Sequence, residues 1–76
     1  MVVVYSKPVG CFACKFTKQR LDSLGVEYRD VDVTSDPSAF DYITKDLGYQ
    51  QVPVVVAPDG SHWSGLDPDR IDALAD

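Results

Sequence analysis

Cys11 and Cys14 are the only two cysteines in a chain of 76 residues, and they stand in the segment Cys11-Phe12-Ala13-Cys14. At this spacing, on the first turn of a helix, two sulfurs come close enough to close a small ring. Such a pair can cycle between dithiol and disulfide. The first cysteine falls at the helix N-terminus, where unpaired N–H groups and the helix dipole stabilise a thiolate. Metal chemistry asks for more than the chain offers. A closed zinc site takes four ligands, and the only other soft ligand is His62, so two oxygens would have to complete it. An iron–sulfur cluster takes four thiolates, which two chains would have to supply. A purely structural disulfide across two residues closes too short a loop to stabilise much. No metal site is therefore expected. The favoured chemistry is thiol–disulfide exchange, with Cys11 as nucleophile and Cys14 as resolving cysteine.

The elements around this pair read clearly. Residues 1–6 form a continuous apolar run, expected as a buried strand. Lys7-Pro8-Val9-Gly10 is a loop. Residues 12–24 are predicted as a helix, since Ala13, Thr17, Leu21 and Leu24 fall on one face, and Gly25 ends it. Residues 26–33 are expected as a second strand, with Val31 and Val33 alternating against Asp30 and Asp32. Asp36-Pro37 opens a second helix, with Ala39, Phe40, Ile43 and Leu47 as its apolar face and Gly48 as its end. Residues 52–57 are a third strand containing Pro53. Pro58-Asp59-Gly60 turns the chain into a short fourth strand over residues 61–64. Asp67-Pro68 opens a last, short helix made with Ile71, Leu74 and Ala75. The order β-α-β-α-β-β-α predicts an α/β domain with the minimal thioredoxin fold. Its four-stranded mixed sheet carries three helices, and two parallel βαβ connections precede a hairpin.

Composition narrows the function. The length fits a single domain over residues 1–76. No apolar run approaches the roughly 20 residues that cross a bilayer, and the N-terminal apolar run has no basic segment before it. A cytoplasmic location is expected, where cysteines serve as reagents rather than staples. The net charge of −5 speaks against nucleic acid as partner. Residues 1–25 nevertheless carry a net +3 through Lys7, Lys15, Lys18 and Arg20. Positive charge around the cysteines should favour the Cys11 thiolate and steer an acidic partner surface. Thr17 has two readings, a hydrogen bond near the sulfurs or one to its own helix carbonyl. His62 reads as a surface strand residue without a role, and Tyr49 as either surface or partner patch.

The Lys-Pro loop, the Cys-x-x-Cys helix and Val52-Pro53 before a hairpin resemble the glutaredoxins. Cys11-x-x-Cys14-x-x-Thr17, the stretch from Gly48 to Val55 and above all Trp63-Ser64-Gly65-x-x-Pro68-Asp69 resemble the NrdH-redoxins, glutaredoxin-like proteins with thioredoxin-like activity. The resemblance covers essentially the whole chain. It departs at Phe12 and Ala13 between the cysteines, and at Leu66 and Asp67 in the tryptophan motif. These positions flank the site and bear on partner choice, while both sulfurs are kept.

The resemblance implies a monomeric electron carrier with no bound cofactor. Its reduced form would pass two electrons to a class Ib ribonucleotide reductase. Thioredoxin reductase would restore it, so NADPH is used only indirectly. The resemblance makes Pro53 a cis proline facing the cysteines, with the Val52 backbone free to pair with a bound strand. It places Lys7 beside the site and Trp63, Ser64 and Gly65 in a hydrogen-bonded loop near the last helix, although a lone tryptophan also fits a plain core position. Phe12, Pro53 and Leu66 are expected to form an apolar ring around the sulfurs. A glutathione-dependent glutaredoxin is the rival within the same chemistry. It is disfavoured because Ser64-Gly65-Leu66-Asp67-Pro68-Asp69 lacks part of the Gly-Gly-x-Asp-Asp pattern. A non-enzymatic metal-binding or interaction module on the same fold is the rival of another class.

Overall fold

The computed structural model describes residues 1–75. The elements are β1 (Val2–Ser6), α1 (Phe12–Ser23), β2 (Tyr28–Asp32), α2 (Pro37–Asp41), a π-helical continuation (Tyr42–Asp46), β3 (Val54–Val56), β4 (His62–Ser64) and α3 (Pro68–Ala73). Each helix starts where a cap fixes it. Sγ of Cys11 accepts the N–H of Cys14, and Asp36 and Asp67 accept those of Ala39 and Arg70. Pro37 and Pro68 occupy first helical positions, where the missing N–H costs nothing.

The sheet has the order β2-β1-β3-β4. β1 and β2 run parallel, while β3 is antiparallel to both β1 and β4. Only the first of the two expected parallel connections is therefore parallel. The register gives the reason. Asp32 at the end of β2 pairs with Ser6, and Val54 at the start of β3 pairs with Tyr5. The connection through α2 thus leaves and rejoins the sheet at the same end, so β3 must run back. This reversal carries Val52 and Pro53 to the end of the sheet where the cysteines lie.

Alternation along the strands builds a core on each face of the sheet. Val2, Val4, Leu21, Val55, Trp63 and Ile71 pack between the sheet and α1 and α3. Val33, Ala39, Ile43 and Val54 pack under α2, with Tyr5, Val31, Tyr42 and Leu47 around them. Phe40, expected inside, is exposed. The π-helical turn explains this. Leu47 N–H bonds the Tyr42 carbonyl at 3.1 Å, so Tyr42 and Leu47 share the inner face in place of Phe40 and Leu47. The last helix is shorter than expected, ending at Ala73 with Leu74 as its C-cap and Ala75 beyond it.

Candidate active site

The loop after β1 is compact, and Gly10 takes a φ of +72°, which a side chain rarely adopts. The next residue, Cys11, is the N-cap of α1, with φ −128° and ψ 92°. Its sulfur accepts the Cys14 N–H at 3.1 Å, and its carbonyl accepts the Lys15 N–H at 3.2 Å. The sulfur thus occupies the place that Ser or Asp fills in an ordinary cap, and the same N–H would hold a thiolate. Cys11 and Cys14 are joined as a disulfide with Cα atoms 5.3 Å apart. They differ sharply in access. Cys11 is half-buried, whereas Cys14 is 1% exposed.

The second side of the site comes from the segment before β3. The Val52–Pro53 peptide bond is cis, and the Val52 carbonyl oxygen lies 3.9 Å from Cys11 Sγ. Ser64 Oγ donates to the Gln51 carbonyl at 3.1 Å, and the Gly65 N–H donates to the Pro53 carbonyl at 2.9 Å. Ser64 and Gly65 therefore brace the segment from 51 to 53. Trp63 is 7% exposed within the core, with the Arg70 guanidinium 5.7 Å from its ring centroid. Its indole N–H has no hydrogen-bond partner.

Two clefts flank the sulfurs, and Lys7, Cys11 and Phe12 line both. One, of about 520 Å³, continues along α1 past Cys14 to Lys18 and Asp30. The other, of about 730 Å³, runs past Val52 to Phe40 and Ile43. The apolar rim differs from the expected ring. Phe12 is 79% exposed and Phe40 51%. Pro53 is fully buried and so adds nothing to the exposed rim. Leu66 is exposed but lines a separate groove with Phe16 and Pro68. Phe40 was not legible as a rim residue, because its helical spacing reads as core.

The positive end is also partly neutralised. Lys18 Nζ lies 3.0 Å from Asp30, and Arg20 makes two bonds to Asp72 at 2.8 and 3.0 Å. Lys7 and Lys15 have no ion-pair partner among the described residues. The Arg20 bond holds the Asp72 carboxyl below its usual range. The buried Thr17 hydroxyl makes neither bond considered for it and has no partner. His62 is half-buried, and its Nδ1 lies 2.7 Å from the Tyr49 hydroxyl, so these two residues brace each other. Among the described residues no three His, Cys, Asp or Glu side chains converge as a metal-ligating group.

A cysteine cap with a buried second sulfur, faced by the Val52 carbonyl, is built for disulfide exchange. Comparison with known proteins places it. The glutaredoxin family model matches residues 2–63. The chain belongs to the glutaredoxin family. It is 38% identical to the glutaredoxin-like protein NrdH of Salmonella typhimurium over 73 residues, covering 96% of this chain and 86% of that protein. It is 41% identical to the gene 56 protein of Mycobacterium phage L5, covering 99% and 72%. In structure it matches the glutaredoxin-like NrdH-redoxin of Escherichia coli, described for its thioredoxin-like activity profile. That match has a TM-score of 0.87 at 32% identity and covers 96% of this chain and 92% of that one. This glutaredoxin-like chain is thus an NrdH-type redoxin with the four-stranded mixed sheet and three helices of the thioredoxin-like fold, and a thiol–disulfide oxidoreductase.

Proposed function

We propose that this redoxin is a cytoplasmic, monomeric electron donor to a class Ib ribonucleotide reductase. It would be returned to the dithiol by thioredoxin reductase at the expense of NADPH. In the forward reaction the Cys11 thiolate attacks a disulfide of the partner. One partner sulfur bonds to Cys11 and the other leaves as a thiolate. Cys14 then loses its proton and attacks Cys11. The Cys11–Cys14 bond forms, and the remaining partner sulfur leaves and is protonated. The unequal exposure of the two sulfurs supports this division of labour. Lys7, Phe12 and the Val52 carbonyl would contact the partner, with Pro53, Trp63, Ser64 and Gly65 holding that surface in place.

The observation that carries the choice of electron source is the start of α3. Oδ1 of Asp67 already accepts the Arg70 N–H at 3.2 Å, and Pro68 has no N–H to offer. A helix N-terminus normally receives a carboxylate well. Here the chain's own carboxylate takes one first-turn N–H and proline removes another, and the Asp67 charge would oppose a glutathione carboxylate brought to this end of α3. The exposed rings of Phe12 and Phe40 suit a protein surface better than a small charged peptide.

The target is tested by reconstitution. A class Ib ribonucleotide reductase, thioredoxin reductase and NADPH should form deoxyribonucleotide when the redoxin is added, and none with Cys11→Ser. Failure to form product while the redoxin stays fully reduced would remove the ribonucleotide reductase from this proposal.

A further inference from the structure

Ser6 ends the row Val2, Val4, Ser6 on the face of β1 toward α1, and it is 2% exposed. An apolar residue would continue the core there. Instead its hydroxyl donates to Asp30 Oδ1 at 2.6 Å, while Asp30 Oδ2 holds Lys18 Nζ at 3.0 Å. An ion pair this exposed contributes little to stability, yet the fold commits a buried hydroxyl to orienting it. Lys18 stands four residues after Cys14 on α1, in the same row of the helix surface. Helical side chains of this length lean toward the helix N-terminus, here toward the cysteines. Cys14, Lys18 and Asp30 line one cleft of about 520 Å³.

We propose that Lys18 and Asp30 govern the protonation of Cys14 in the resolving step, with opposite signs: the ammonium favours the thiolate and the carboxylate opposes it. Cys14 is 1% exposed, so charges at its side are screened less than they would be in open water. Ser6 makes Asp30, and through it Lys18, a fixed rather than a wandering charge. Both act as positioning residues, through the field at the sulfur. The remaining charged or titratable groups lining the cleft are Lys7 from the loop after β1, Lys15 and Asp22 on α1, and Tyr28 on β2. On α3, which packs against α1, Asp72 is bound to Arg20 and Arg70 to Asp67. These groups form a constant background that the variants below leave untouched.

The inference rests on the roles proposed for Cys11 and Cys14, and one experiment separates the two. Reduced protein is mixed with excess 5,5′-dithiobis(2-nitrobenzoate) in a stopped-flow instrument. Cys11 thiolate cleaves the reagent, forming a mixed disulfide and releasing one thionitrobenzoate. Cys14 thiolate then attacks Cys11, forming the ring and releasing the second. The rate of the second phase is followed against pH. Lys18→Met should move its midpoint to higher pH and slow it about three- to tenfold below the midpoint. Asp30→Asn should move it to lower pH, and the double variant should return close to the wild type. Lys18→Arg should keep the wild-type midpoint. Lys45→Met, on the far helix beside Asp41, is the control for net charge and should change nothing. Midpoints that stay fixed, or that move the same way in Lys18→Met and Asp30→Asn, overturn the inference. Release of only one thionitrobenzoate per wild-type protein, with no ring closure, would instead overturn the assignment of roles on which it rests.

Discussion

The carbonyl oxygen of Val52 lies 3.9 Å from Sγ of Cys11, although 41 positions separate the two residues in the chain. One comes from the loop before β3 and the other from the cap of α1. Their meeting follows from the antiparallel return of β3 and, on the proposed mechanism, sets where a partner disulfide would dock. A partner strand laid along Val52 would present its sulfur to Cys11 and leave Cys14 beneath.

This geometry makes the two thiols unequal in reactivity. In the reduced protein, limiting iodoacetamide should alkylate Cys11 first and leave Cys14 unmodified. Exposure and the Cys14 N–H both act at Cys11, whereas the 1% exposure of Cys14 blocks approach. Peptide mapping by mass spectrometry reads the outcome. Preferential labelling of Cys14 would reverse the roles.

The two-step exchange predicts a trap. Cys14→Ser should accumulate a mixed disulfide with a partner protein, visible on non-reducing gels, because nothing attacks Cys11 from behind. Cys11→Ser should trap nothing. Equal trapping by both variants would show that access does not distinguish the sulfurs.

Glutathione should bind weakly. Two lost charge-assisted hydrogen bonds, at roughly 1.5 to 3 kcal/mol each, weaken affinity by about two orders of magnitude or more. Amide shifts during a glutathione titration of the oxidised protein should therefore fail to saturate at micromolar concentration. Asp67→Ala should lower stability by about 0.5–2 kcal/mol through the lost cap. Saturation at micromolar glutathione would return the chain to the glutathione-dependent glutaredoxins.

Acid should loosen the fold through loop carboxylates. The Thr34 hydroxyl and N–H hold Asp32 below its ordinary value of 3.8. The Ser61 hydroxyl and N–H do the same for Asp59. A folded-state value below the unfolded one means that the stabilisation is present at neutral pH. It is lost as pH falls from about 4 through the folded values. The melting temperature should fall over that window, and less steeply in the Asp32→Asn/Asp59→Asn double variant. An unchanged slope would show that these bonds do not survive in solution.

Most of the architecture was legible because local signals agreed. Asp-Pro pairs marked two helix starts, glycines marked the stops, and the Cys-x-x-Cys spacing announced the chemistry. What stayed hidden depended on neighbours. The direction of β3 follows from where α2 rejoins the sheet, which no residue pattern encodes. Phe40 has the spacing of a core residue, and only the π-helical turn at Tyr42 puts it outside. Lys18 and Arg20 read as free charge until the fold brought Asp30 and Asp72 to them. Ser6 reads as the tail of an apolar strand, with nothing local to mark its bond to Asp30.

The central claim is that the Cys11–Cys14 pair exchanges electrons with protein partners rather than with glutathione. NADPH oxidation at 340 nm tests it most directly, with the oxidised redoxin as the limiting electron acceptor. Thioredoxin reductase should drive rapid oxidation of one NADPH per disulfide. Glutathione with glutathione reductase should be slower by about two orders of magnitude, in keeping with the lost binding energy. Turnover through glutathione as fast as, or faster than, turnover through thioredoxin reductase would contradict the account.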